Sequence, residues 1–86
     1  MKLYVCAIRD RALDAFGTPI FVAAIGLAVR SFTDEINRKA DGNPYSAHPE
    51  DYDLYVLGTF DSDDGSFECG KPRQVSVGKD VVNVSQ

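Results

Sequence analysis

Apolar residues fall in three distinct rhythms along this chain. Lys2–Arg9 (KLYVCAIR) is apolar in both phases of a two-residue repeat, with Leu3, Val5 and Ala7 on one side and Tyr4, Cys6 and Ile8 on the other. That pattern predicts a central strand covered on both faces. Ala24–Lys39 switches to helical spacing, with Ile25, Ala28, Val29, Phe32 and Ile36 in one stripe. On its other side Asp34 to Arg38 and Glu35 to Lys39 are spaced as i,i+4 pairs, and Arg38 and Lys39 are expected in the last turn. Tyr52–Asp61 (YDLYVLGTFD) returns to a strand rhythm. Leu54, Val56 and Phe60 are expected on one face, with Gly58 as the gap between them, and Tyr55, Leu57 and Thr59 on the other.

Breaks separate these elements. Gly17-Thr18-Pro19 ends a charged stretch, and Pro19–Ala23 reads as extended, a helix start at Thr18-Pro19 being the alternative. Gly42–Asp51 reads as a loop, interrupted by Pro44 and Pro49. Ser62–Gly65 (SDDG) reads as a tight turn into a return strand at Phe67–Cys69. Gly70-Lys71-Pro72 is expected to interrupt that strand before a further short one at Gln74–Val77. The order β-α-β-β-β predicts an α+β fold, one amphipathic helix packed on a small, mostly antiparallel sheet. Residues 1–78 are expected to form one domain and 79–86 a C-terminal tail. With one helix to cover one face, burial of the other sheet face predicts a homo-oligomer.

Composition adds little to that picture, but charge does. The 86 residues suffice for one small domain. The net charge of −4 is unevenly spread. Residues 1–43 carry six Lys/Arg against five Asp/Glu, and residues 44–86 carry three against eight. An acidic balance argues against sequence-independent nucleic-acid binding by the whole surface, which depends on neutralising phosphates. It favours a basic partner or the more basic half of a neighbouring subunit. Glu50, Asp51, Asp53, Asp61, Asp63 and Asp64 are the candidate residues of such an acidic contact surface. No apolar run approaches the roughly 18 residues that cross a bilayer, and the N-terminal apolar stretch is too short for a signal peptide. A cytosolic location is therefore expected, with Cys6 and Cys69 reduced and read as small buried hydrophobes.

The single histidine, His48, opens the acid-rich segment HPEDYDLYVLGTFDSDDG. Counted from Asp61, a calcium loop would need an acid at Gly65 and a glutamate at Pro72, so that pattern fails. His48 with Glu50 or Asp53 is a weak ligand set for a transition metal. No nucleophile stands at a spacing that marks it as activated by His48. Neither catalytic residues, metal nor cofactor are therefore expected. The segment reads as turn, strand and turn, with Asp53 pointing outward and the other carboxylates at the wet ends of the strand.

Three words in register, RDRALDAFGTPIFV, GLAVRSFTDEINR and HPEDYDLYVLGTFD followed by Gly65 and Phe67, resemble the small nonstructural protein of gokushoviruses. These are microviruses, small bacteriophages with circular single-stranded DNA. The resemblance covers roughly residues 3–68. It implies a protein made in the cytoplasm of the infected bacterium and absent from the finished capsid. Such proteins are likened to protein C of phiX-type microviruses, which acts at the switch from duplex replication to single-strand synthesis coupled to packaging. The resemblance brings no catalytic residues. The expected function is thus that of a non-enzymatic accessory in viral DNA replication, working by contact with viral or host replication proteins. The alternative is a single-stranded DNA-binding module. Its candidate phosphate contacts are Arg9, Arg11, Arg30, Arg38, Lys39, Lys71 and Arg73, with Tyr4, Tyr52 and Tyr55 available to stack bases if exposed.

Overall fold

The computed structural model describes residues 1–83. Strand β1 (Lys2–Asp10) is followed by two short strands, β2 (Ala15–Phe16) and β3 (Ile20–Val22). Helix α1 (Ile25–Asn37) comes next, then a single helical turn α2 (Pro44–Ala47) and a 3-10 turn at Pro49–Asp51. The long strands β4 (Tyr52–Asp61) and β5 (Ser66–Val77) form a hairpin, and a second 3-10 turn at Gly78–Asp80 is the last regular element among the described residues. The sheet is antiparallel, in the order β2-β1-β4-β5, with β3 sharing the outer edge of β1 with β2. It is the expected α+β fold, one main helix over an antiparallel sheet.

The helix packs by its predicted stripe. Ala28, Phe32 and Ile36 are buried, and Ile25 and Val29 flank them. They meet Cys6 of β1 and Leu54 and Val56 of β4, with Tyr4, Ile8, Tyr52 and Val75 around the edge. Burial in this core pushes the Cys6 thiol pKa up. The helix is shorter than its pattern suggests. Arg38 is already extended, so Arg38 and Lys39 lie beyond the last turn rather than in it. Arg38 pairs with Glu35, whose carboxyl it holds below the usual range, instead of with Asp34. The free helix-end carbonyls are met from outside. Asn43 is buried and donates from Nδ2 to the carbonyls of Glu35 and Arg38. A side chain that supplies these bonds removes the need for the helix to continue.

Asn37 performs a similar function at the C-terminal segment. Its Nδ2 donates to the Val81 carbonyl at 2.9 Å, and its Oδ1 accepts from the Asn83 amide at 2.7 Å. Val81 and Val82 pack against the core. Residues 84–86 of the expected tail lie outside the described residues.

Two irregularities reshape the sheet. Val5 pairs with Gly58 but Cys6 pairs with Val56, so Leu57 is an extra residue, a β-bulge. The bulge shifts the side-chain phase. Leu54 and Val56 face the helix, as predicted, but Phe60 sits opposite Leu3 and faces the other way, correcting the expectation of one shared face. On the other side of β4, Val56 pairs with Arg73 and Gly58 with Cys69. Gly70-Lys71-Pro72 therefore loops out of register without ending the strand. The expected two short strands are one twelve-residue strand.

Candidate functional site

The face of the sheet turned away from α1 carries the most distinctive chemistry. By register it takes Leu3, Val5, Ala7 and Arg9 from β1, Asp53, Tyr55, Gly58 and Phe60 from β4, and Phe67, Cys69, Gln74 and Val77 from β5. Phe21 of β3 lies opposite Val5 and Phe16 of β2 opposite Arg9, so both join it. The rings cluster. Phe60 stands 4.7 Å from Phe67 and 5.5 Å from Phe21, and Phe16 meets Tyr55 edge-on at 5.3 Å. Phe16, Phe21 and Phe67 remain 41%, 47% and 57% exposed. Val5 and Ala7 on the same face are buried, and no further helix or strand covers the rings themselves among the described residues. The rings form two groups on one face, Phe16 with Tyr55 and Phe21 with Phe60 and Phe67, and exposed aromatics gathered on one face of a small protein mark an interaction surface.

Gly58 makes this arrangement possible. A Cβ there would strike the Glu68 carbonyl and come within 2.6 Å of Cys69 Cα and 2.7 Å of its sulfur. The β5 backbone therefore crosses directly over Gly58, and the hairpin curls toward the helix-free face. Register sets Phe67 opposite Phe60, and the curl brings it to 6.2 Å from Phe21. The expectation that both cysteines are buried is half correct. Cys6 is buried, while Cys69 is exposed.

The predicted charged residues do not form single surfaces. Glu50, Asp51 and Asp53 stand at one end of β4 and Asp61, Asp63 and Asp64 at the other, about 30 Å apart for a ten-residue strand. At the hairpin end, the Met1 ammonium contacts Asp61 at 3.3 Å and Asp63 at 2.8 Å. The Asp63 side chain is the main cause of the raised ammonium pKa, and the Asp63 backbone amide with that ammonium lowers the Asp61 pKa. Asp64 accepts from the Ser66 amide and hydroxyl.

Asp53 corrects the reading of it as an outward residue. It is 2% exposed, and its Oδ2 lies 3.2 Å from Arg11 Nε, while Oδ1 has no hydrogen-bond partner. The outward phase is the helix-free face, and there the turn after β1 folds down on it. Arg11 also donates to the Glu50 carbonyl, and its amide to that of Asp51. Removing Arg11 leaves a buried carboxylate uncompensated. Arg11→Ala is expected to lower stability by about 2 kcal/mol in urea unfolding, and the Arg11→Ala/Asp53→Ala double variant to recover part of that loss.

Among the candidate phosphate contacts, Arg9 is bound to Asp14, Arg11 to Asp53 and Arg38 to Glu35. Arg30 and Lys39 lie on and just after α1, and Lys71 and Arg73 on β5. Tyr4 and Tyr52 pack against the core and Tyr55 is half-buried beside Phe16, so none of the three is an open stacking platform. His48, Glu50 and Asp51 bring one ligand atom each within 4.8 Å of one another. One imidazole and two carboxylates, with His48 and Glu50 exposed, remain a weak set. A cleft of about 240 Å³ between α1 and the β2–β3 connection has Cys6, Phe32 and Leu54 among its lining residues. It is smaller than the roughly 300–1,000 Å³ of small-molecule sites. Among the described residues no helix is long and apolar enough to cross a membrane.

These features define a small α+β protein with one helix-covered sheet face and one face rimmed by exposed aromatics. The chain belongs to the phage ORF5 protein family, which matches residues 3–81. No curated protein and no solved structure matches it.

Proposed function

We propose that this phage protein is a gokushovirus nonstructural accessory of viral DNA replication. It acts in the bacterial cytoplasm at the switch to single-strand synthesis and packaging, by protein contact and not by catalysis. Membership of a phage family and the three sequence words in register support the viral setting. The contact mode rests on one observation, the face rimmed by exposed aromatics. The one basic residue that β1 and β4 place there is Arg9, and Asp14 neutralises it. An aromatic surface that gains no free cation from β1 or β4 suits an apolar protein partner better than a phosphate backbone.

Single-stranded DNA binding is the second reading. Exposed phenyl rings can stack bases, and Arg30, Lys39, Lys71 and Arg73 make no ion pair among the described residues. Fluorescence anisotropy with a long labelled single strand separates the two. We expect no micromolar binding at about 50 mM salt. Tight binding that falls steeply between about 50 and 200 mM salt would overturn the protein-contact reading.

A further inference from the structure

We infer that the aromatic face is the seat of a second copy of this chain, in a face-to-face dimer. The inference rests on the protein-contact reading and names its partner.

Area is the first argument. Three phenylalanines of roughly 200 Å² each, exposed by 41%, 47% and 57%, leave about 290 Å² open. The half-buried Leu3, Tyr55 and Phe60 bring this to about 400 Å² of apolar surface per copy, or about 800 Å² for two. A standard interface buries about 1,600 Å² in total, of which about 900 Å² is apolar. Two such faces therefore supply most of the apolar area a stable dimer needs.

Charge is the second argument. Each copy carries a net charge of −4, so self-association requires the carboxylates to stay off the contact. They do. Asp53 is buried under Arg11, Asp14 is paired with Arg9, and Asp61, Asp63 and Asp64 sit at the hairpin tip. Pairing of a face with itself then brings no bare carboxylates together.

Edge chemistry is the third. The outer edge of β1 is taken by β2 and β3. The free edge of β5 carries Lys71 and Pro72 in a segment out of register, features that block strand addition. Sheet extension is disfavoured on both sides, so a symmetric contact made through the sheet is made by stacking the aromatic faces.

Analytical ultracentrifugation of the full chain at about 50 µM tests this, a concentration above the micromolar Kd that interfaces of this size reach. A dimer is expected. Phe21→Asp and Phe67→Asp should each weaken it by about tenfold or more, while Leu27→Asp, on the exposed side of α1, should not. Melting curves verify that the variants fold. A second perturbation needs no mutation. Cys69 shares the aromatic face and is exposed, whereas Cys6 is buried. A bulky maleimide on folded protein should therefore modify Cys69 and dissociate the dimer. A monomeric wild type overturns the inference, as does a dimer that survives both aspartates and the maleimide. The DNA titration judges the protein-contact reading separately, because a monomer that ignores DNA leaves that reading standing.

Discussion

Phe32→Ala is expected to destabilise the protein by about 4 kcal/mol and to lower its melting temperature by roughly 15–30 °C. Phe32 is 2% exposed and sits mid-helix over Cys6, Leu54 and Val56. The loss combines a buried aromatic with the cavity left behind. It falls on an element with little stability of its own. Helix α1 has thirteen residues, and Ala24 at its N-cap supplies no side-chain bond, so docking keeps it folded. A domain of this class holds only about 5–15 kcal/mol in total. Leu27→Ala, on the same helix at a position 46% exposed, should change stability by under about 0.5 kcal/mol. Thermal unfolding followed by circular dichroism measures both. A Phe32→Ala variant that melts within a few degrees of wild type would show that the helix does not depend on this stripe.

Gly58→Ala is expected to cost about 3 kcal/mol. The added Cβ meets β5 backbone, which cannot rotate aside as a side chain could. To relieve the clash the hairpin must uncurl, which pulls Phe67, still paired with Phe60, away from Phe21. The variant should therefore lose self-association as well as stability. Gly70→Ala is the control. A Cβ there meets nothing within 4 Å, so urea unfolding should place it within about 0.5 kcal/mol of wild type. Equal behaviour of the two alanines would mean that the crossing over Gly58 does not shape the hairpin.

The sequence made the helix-covered half legible. Two-residue alternation marked β1 and β4, helical spacing marked α1, and Asp64-Gly65 marked the hairpin turn. Each signal is local. The missing parts depend on partners distant in sequence. Leu57 bulges because β1 and β4 keep different counts, and a period-two reading cannot show a one-residue slip, so Phe60 was assigned to the wrong face. Gly70-Lys71-Pro72 looks like a strand end, yet bonding to β4 on either side keeps the chain extended. Asp53 looks like a solvated edge residue until the turn at Arg11 folds over it. The aromatic face was hardest to read. Its rings come from β2, β3, β4 and β5; the extended reading of Pro19–Ala23 covers β3, but the two-residue β2 gives no local signal, and nothing local shows that both strands join β1. The one available signal was Phe67 two residues past the tight turn, where hairpin pairing places it opposite Phe60.

The register of β1 has a consequence for how the chain folds during synthesis. Asp10 pairs with Tyr52 and Lys2 with Asp61, so the first strand waits for its main neighbour until most of the chain exists. At about 5–20 residues per second, that wait lasts seconds. Meanwhile β2 and β3 can dock along one edge and α1 on one face, while the edge that β4 will take stays open. Folding should accordingly be governed by this late, long-range closure and be slow for a protein of this size. The strand most apolar on both sides is thus the one that a ribosome-bound chain leaves open longest to chaperones and to other nascent copies.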